Sequence, residues 1–346
     1  MRAYLDWNAT TPLRAEAREA MLRAMDLVGN PSSVHAEGRA AKMAMERARE
    51  DIATALGADG ADLVFTSGAT EAAALVLAGR GLACAPVEHD AVRAWCDPSL
   101  SVDHDGIVTV PDPARATLQL ANSETGVIQR LPEGLAASDL TQAFGKIPLA
   151  FNWLGLTAGF VSAHKLGGPK GIGALVIRKG TDLDAILKGG GQEQGRRAGT
   201  ENLIGILGFA AAARAAQSDL EAGLWDEVAA RRDRLEARLT ARFPEISVAG
   251  KAARRLPNTS CLLTSGWKGE TQVMQMDLAG FAISAGSACS SGKVRASGTL
   301  QAMGFDDQQA QSAIRLSISP ALDEDQMNRF ADAWENAYSR WRDRNG

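Results

Sequence analysis

The chain has 346 residues, enough for one large domain or two smaller ones, and its 45% hydrophobic and 23% charged residues are ordinary for a water-soluble globular protein. A formal net charge of -4 provides no basic footprint for nucleic acid, so that class of partner is excluded. The start, Met1 to Asp6, carries no apolar signal core, and the uncharged run from Ile147 to Ala163 is interrupted by Pro148 and Asn152, which suits a buried strand and loop better than a membrane span.

Cys84, Cys96, Cys261 and Cys289 are far apart and lack the paired spacing of zinc or thioredoxin motifs, so no metal site is expected. Free thiols of this kind suit a reducing, cytoplasmic compartment.

Tyr4 to Pro12 has no helical period and reads as extended chain. A helix is expected from about Arg14 to Met25, followed by the breaker-rich turn Gly29-Asn30-Pro31-Ser32-Ser33-Val34-His35. Apolar residues at helical spacing predict a second helix over Glu37 to Leu56, closed by Gly57. Asp62 to Thr66 reads as a short buried strand, and Ser67-Gly68-Ala69-Thr70-Glu71 as the turn into a helix beginning near Ala72. A strand, turn and helix in this order present free backbone N–H groups to a phosphate, although a plain cap by Ser67 or Thr70 would look the same.

Short elements keep alternating. Thr117 to Leu120 precedes the polar Asn122-Ser123-Glu124-Thr125-Gly126, and Phe160-Val161 leads into Ser162-Ala163-His164-Lys165-Leu166-Gly167-Gly168-Pro169. Gly173 to Ile177 then leaves as another strand. Such alternation implies a mostly parallel sheet covered by helices, with sites at the C-terminal strand ends. A lysine at a buried strand end is costly unless paired, neutralised or covalently used, which makes Lys165 a candidate for Schiff-base chemistry. Alone, a lysine before Gly-Gly-Pro is more often a solvated turn residue.

The glycine-rich, basic Gly189 to Thr200 loop leads into a helical region that runs to about Arg242, where Pro244 closes it. We expect a domain boundary there, dividing the chain into a large unit over 14–242 and a small unit built from 1–13 and 243–346. Ile314 to Ile318 reads as a strand of the small unit and Glu324 to Arg340 as its final helix.

Taken together and in order, Leu5 to Pro12, Gly29 to Ser33 with His35, Phe65 to Glu71, Glu88-His89, Asn122 to Gly126, the His164-Lys165 stretch, the triple-glycine loop and Ser287-Ala288-Cys289-Ser290-Ser291 resemble the cysteine desulfurases. These form part of the class V branch of fold-type I pyridoxal-phosphate enzymes. The resemblance implies an α/β fold, with a mostly parallel sheet in the large domain and a smaller α+β C-terminal domain. It implies that Lys165 holds pyridoxal 5'-phosphate and moves the substrate Cα proton. Asp139 would pair with the pyridine nitrogen, Gln142 would bond the phenolic oxygen, and His89 would stack on the ring. Ala69, Thr70, Ser162 and His164 would hold the phosphate, and Thr200 would reach it from the second subunit of a homodimer. Asn122 and Arg315 would clamp the carboxylate of L-cysteine.

By the same resemblance Cys289, in a loop of the long type, would take the substrate sulfur as a persulfide and pass it to an acceptor or iron–sulfur scaffold protein. Its surroundings of Gly and Ser favour an exposed loop over a packed core. A selenocysteine lyase, another class V aminotransferase or a non-catalytic, partner-dependent assembly subunit are the alternatives.

The chain departs from the family between Gly126 and Asp139, where Leu131-Pro132-Glu133-Gly134-Leu135 can supply only a turn, and from Trp95 to Ala121. Gln194 stands where relatives often carry Arg. The missing crossover helix is expected to uncover an apolar face near Leu149 to Phe160, within the trimmed 126–160 region, that a partner protein covers.

Overall fold

The computed structural model describes residues 2–286 and 296–345. After Ala3–Tyr4 (β1), helices form over Ala15–Met25 (α1) and Ala36–Ala55 (α2). Arg14 occupies the N-cap of α1, and the His35 ring accepts from the Gly38 N–H at 3.3 Å to cap α2. Asp62–Thr66 (β2) is a strand, and Ala69–Leu77 (α3) starts at the Ser-Gly turn itself rather than at Ala72. Asp90–Arg93 (α4), Ser138–Asp139 (β3), Ala158–Ser162 (β4) and Gly173–Ile177 (β5) follow.

These strands form a sheet in the order β2-β5-β4-β3. Both β2 and β4 run antiparallel to β5, and β3 runs parallel to β4, so β2, β4 and β3 share one direction. Single parallel bridges, Thr117 to Ala137 and Ala83 to Ala116, carry that direction further. The sheet is therefore mixed, with β5 reversed among strands that otherwise point the same way. The strand expected at Thr117 to Leu120 is not a regular one. Its N–H groups still follow β3, with Leu118 donating to Ala137 and Leu120 to Asp139 at 3.2 and 2.9 Å.

The expected helical region after the glycine loop is two helices, Leu203–Glu221 (α5) and Leu224–Arg242 (α6), because Gly223 turns left-handed at φ 71°. Helix α5 packs on α1 and α2 and closes the core that contains Ile52, Phe65, Phe144 and Phe209.

A second core lies around Ser247–Val248 (β6), Thr259–Leu263 (β7), Gly269–Leu278 (α7), Phe281–Ala282 (β8) and Ser284–Ala285 (β9). It is completed by Ile314–Ser317 (β10) and Glu324–Asn345 (α10), whereas Leu300 of Gly298–Ala302 (α8) and Ala310 of Asp307–Ser312 (α9) pack into the first core. Its sheet is antiparallel, ordered β6-β7-β10-β9, and β1 pairs parallel with β8, so the N-terminal strand belongs here. Trp225, Val228, Leu235 and Leu239 of α6 also point into this core, together with Trp267, Trp334 and Tyr338. Among the described residues, no helix is long and apolar enough to cross a membrane.

The trimmed stretch from Gly126 to Asp139 holds no helix. In its place, Val127 bridges antiparallel to Arg255, Ile128 donates to the Arg254 carbonyl at 2.8 Å, and Leu256 donates to that of Gly126 at 2.7 Å. The broad apolar face expected near Leu149 to Phe160 does not materialise. Phe151, Leu156 and Phe160 are buried, because Phe151 and Asn152 donate backbone hydrogen bonds to Leu56 and Gly57 and fold the segment onto the end of α2. Trp153, 90% exposed, is what remains outside.

Glu193 anchors the glycine-rich loop. Its carboxylate, 2% exposed, takes two hydrogen bonds from Arg49 at 2.7 and 3.0 Å and one from the Phe65 N–H at 2.8 Å. Its backbone is held left-handed at φ 49°. Replacing Glu193 by Ala leaves a half-buried guanidinium and a strand-end N–H without this acceptor, and is expected to cost about 3 kcal/mol in urea unfolding. A loss below about 1 kcal/mol would show that the pair does not hold the loop.

Candidate active site

Because β2, β4 and β3 point the same way, the turns that leave them meet on one side of the sheet. They meet the N-terminal Asn8 to Thr10 segment and Arg315 of β10 around a cavity of about 620 Å³. Lys165, in a 3-10 turn directly after β4, donates through Nζ to the main-chain carbonyls of Asn8 and Ala9 at 2.7 and 2.9 Å.

The cavity has an anion-binding side. Ser67, Gly68, Ala69 and Thr70 line it at the start of α3, where the first N–H groups have no partner inside the helix. The turn can lie against the sheet because Gly173 has no side chain: a Cβ there would stand 2.7 Å from the Gly68 Cα. Ser162, His164 and Lys170 complete this side. Burial, followed by repulsion from Lys165, Lys170 and Lys146, pushes the His164 pKa down to about 4. The ring is therefore neutral near pH 7, with Nδ1 3.1 Å from the Thr10 hydroxyl.

Glu71 also lines this side, paired with Arg197 at 2.8 Å, and a second carboxylate lies on the other side. Asp139, at the end of β3, accepts from the Thr141 N–H at 2.8 Å and faces the cavity with Gln142. Glu88 lies behind, fully buried, with Oε1 accepting from the Gln119 N–H at 2.5 Å and Oε2 without a hydrogen-bond partner. Burial, reinforced by Asp139 and Cys96, pushes its pKa well up, which favours the neutral acid beside Asp139. His89 caps α4, its Nδ1 accepting from the Ala91 N–H at 3.1 Å, which leaves the proton on Nε2.

Arg315 is 3% exposed and held on the cavity wall by Asp6 at 2.7 Å, the Ser123 carbonyl at 3.1 Å and the Ser284 hydroxyl at 3.2 Å. Its Nε is a buried donor with no hydrogen-bond partner among the described residues.

Two expected residues stand apart. Asn122 is buried beside the wall rather than on it, and its Oδ1 is occupied by Glu124 N, Thr125 N and the Thr125 hydroxyl. Only its amide nitrogen, which donates to Val87 at 3.0 Å, could serve a substrate. Thr200 lines a different recess with Arg197 and Gly199 and does not reach the Lys165 cavity of its own chain. Cys289 lies outside the described residues. Cys84, Cys96 and Cys261 are free and buried, and burial pushes the Cys261 thiol up to about 12.

Several contributors were missed in the sequence. Asn8 supplies the carbonyl under Lys165, Thr10 holds His164, and Lys146 is fully buried beneath them. A lone lysine in the apolar Ala143-Phe144-Gly145-Lys146-Ile147 run was the signal available for the last.

The donor set suits a phosphate-bearing pyridine ring: a neutral histidine, nearby lysines and a helix start for the phosphate, a carboxylate for a ring nitrogen, and a lysine for covalent capture. Fold and cavity together define a fold-type I enzyme site. The model of the aminotransferase class-V family matches residues 3–92 and 108–330, and the chain belongs to that family. It is 38% identical to a cysteine desulfurase of Cereibacter sphaeroides over 92% of this chain and 91% of the relative. It is 34% identical to the cysteine desulfurase IscS of Dictyoglomus turgidum over 98% of this chain and 95% of the relative. The X-ray structure of a NifS-like protein from Rickettsia africae superposes with a TM-score of 0.90 at 29% identity, covering 98% of this chain and 100% of that one. Enzymes of this family work with pyridoxal 5'-phosphate.

The depressed His164 pKa has a measurable consequence. Between its ordinary value of 6.5 and about 4 the unfolded chain binds a proton that the folded chain excludes, so stability falls as pH drops through that window. In denaturant unfolding of the cofactor-free protein, His164→Asn should lose less stability than wild type between pH 7 and pH 5. An equal loss would place the acid sensitivity elsewhere.

Proposed function

We propose that the chain is a cysteine desulfurase that removes sulfur from L-cysteine, releasing L-alanine and leaving a persulfide on Cys289. The convergence of Lys165, Asp139, His89 and Arg315 on one cavity carries this reading. Bound pyridoxal 5'-phosphate would act as the electron sink for the Cα carbanion. Lys165 would hold it and afterwards move the Cα proton, Asp139 would face its ring nitrogen and Gln142 its ring oxygen, and His89 would cover the ring. Ala69, Thr70, Ser162 and His164 would receive its phosphate.

Arg315, with its Nε still unpartnered, would fix the substrate carboxylate and so orient the Cβ–S bond. The Cys289 thiolate then attacks the substrate sulfur. An S–S bond forms, the C–S bond breaks, and the electron pair left on carbon is quenched by a proton to give alanine. The family likeness supports transfer of the persulfide sulfur to an acceptor protein, with iron–sulfur cluster assembly as its destination. The position of Thr200 outside its own Lys165 cavity supports a homodimer in which it serves the second subunit. We also read the chain as two units, 14–242 and 1–13 with 243–346, with α6 packed along their seam.

Alanine formation from L-cysteine by the cofactor-loaded protein, with and without thiol reductant, tests this reading. Wild type should turn over with reductant, and Cys289→Ser should form no alanine catalytically. Undiminished alanine formation in Cys289→Ser, or transamination in place of alanine release, would favour an aminotransferase instead. Arg315→Lys, which replaces a planar fork by a point charge, should raise KM for L-cysteine by roughly 10- to 100-fold while cofactor content stays near wild type. An unchanged KM would remove Arg315 from the carboxylate site.

A further inference from the structure

Lys146 is 1% exposed, yet its ammonium group meets amide oxygens rather than a carboxylate: Asn8 Oδ1 at 2.8 Å and Gln142 Oε1 at 2.7 Å. It stands one helical turn after Gln142, in a stretch where Phe144 donates to the Leu140 carbonyl at 2.9 Å and Ile147 to that of Ala143 at 3.1 Å. Burial, followed by repulsion from Lys165 and Arg315, depresses its pKa well below the lysine range. So costly a placement calls for a compensating role.

The two oxygens supply one. An amide side chain has nearly the same shape when its oxygen and nitrogen exchange places, so its neighbours alone decide which end points where. As the ammonium, Nζ has three donors and no acceptor, so both amides turn their oxygens toward it. The Gln142 nitrogen is thereby turned the other way, where it donates to the Asn8 carbonyl at 3.0 Å with one hydrogen and keeps a second for the cavity that Gln142 lines. Flipping Gln142 would set Nζ against an amide N–H and an amide oxygen against the Asn8 carbonyl. The Asn8 amide is held the same way round by Lys146 together with Asn258, whose Nδ2 donates to Asn8 Oδ1 at 3.0 Å, while Asn8 Nδ2 donates to Thr259 Oγ1 at 2.9 Å and to the Ser123 carbonyl at 3.2 Å.

We propose that Lys146 is a positioning residue that sets the amide orientation of Gln142 and Asn8 and so aims a Gln142 N–H at the ring oxygen of the bound cofactor. The inference rests on the cofactor reading given above. A donor at that oxygen stabilises its negative charge most when the lysine-linked nitrogen beside it is deprotonated. Losing the donor therefore raises the pH at which that nitrogen releases its proton.

The test is the pH titration of the visible absorption of the cofactor-loaded protein, in wild type, K146M, K146Q, Q142L and K146M/Q142L. K146M should move the midpoint up by about one pH unit, the scale of one hydrogen bond to a charged oxygen. K146Q, which keeps an N–H donor, should recover most of that shift, and K146M should add nothing once Gln142 is Leu. An unmoved midpoint in K146M, equal shifts in K146M and K146Q, or a K146M shift that persists in Q142L would each overturn the proposal. Should K146M fail to fold, Q142L must still raise the midpoint while K146Q stays near wild type, and any other pattern overturns it. A wild-type chain that takes up no cofactor would instead overturn the reading of the site itself.

Discussion

The main-chain carbonyl of Asn8 is the point on which the two halves of the molecule and the reactive lysine depend together. It accepts from Lys165 Nζ at 2.7 Å and from Gln142 Nε2 at 3.0 Å, both from the larger core. The Asn8 N–H donates to Ser317 Oγ at 2.9 Å, and its side chain meets Asn258 and Thr259, all on the smaller core. One residue thus uses main chain and side chain to register β1, β7 and β10 against the turns after β3 and β4. Such a network stabilises only while every member is satisfied, because each lost partner leaves a buried polar atom behind. The chain must therefore bring its first ten residues back to the middle of the sheet before the cavity exists.

Charge in the cavity is distributed by burial as much as by residue type. Burial, reinforced by Asp139, pushes the Glu88 pKa up, and burial with neighbouring lysines holds His164 neutral. Asp139 faces the cavity beside Gln142, Glu71 lines it with its charge taken up by Arg197, and Lys165, Lys170 and Arg315 are the cations on its wall. An excess of positive charge suits two anions entering together, a phosphate and a substrate carboxylate, and the α3 start and Arg315 give each its own place. Neutral His164 can then accept or donate a hydrogen bond to phosphate without adding a further cation that would oppose Lys165.

Much of this was readable from the chain because local chemistry and fold agree. The Ser67 to Glu71 turn, the Lys165 strand end and the glycine loop each carry residues whose local preferences match the backbone they adopt. Sheet direction was less legible: β5 looks like any buried strand in Gly173-Ala174-Leu175-Val176-Ile177, and nothing local in it encodes the reversal. The break between α5 and α6 depends on Gly223 alone, within a run of good helix formers. Asn8, Asn122 and Lys146 were hard for another reason. Their roles follow from partners more than a hundred residues away, as with Asn8 and Thr259, or from which end of an amide faces a donor. Spacing along the chain carries no record of either.

The connection from Gly126 to β3 is made without a helix. A helix there would have covered one face of the sheet and lengthened the path from Gly126 to β3. Without it, the chain from Gly126 to Ile128 runs directly against Arg254 to Leu256, and Arg255 is fastened by a doubly bonded pair with Glu236 of α6 at 2.7 and 2.8 Å. The contact ties the Asn122 to Gly126 turn, and with it the Ser123 carbonyl that holds Arg315, to the smaller core. Glu124 extends the tie by accepting from Ser297 and Thr299 at 2.5 and 3.1 Å at the start of α8. The short connection is thus held by backbone hydrogen bonds across the seam. The Arg315 side of the cavity consequently takes its rigidity from both cores at once.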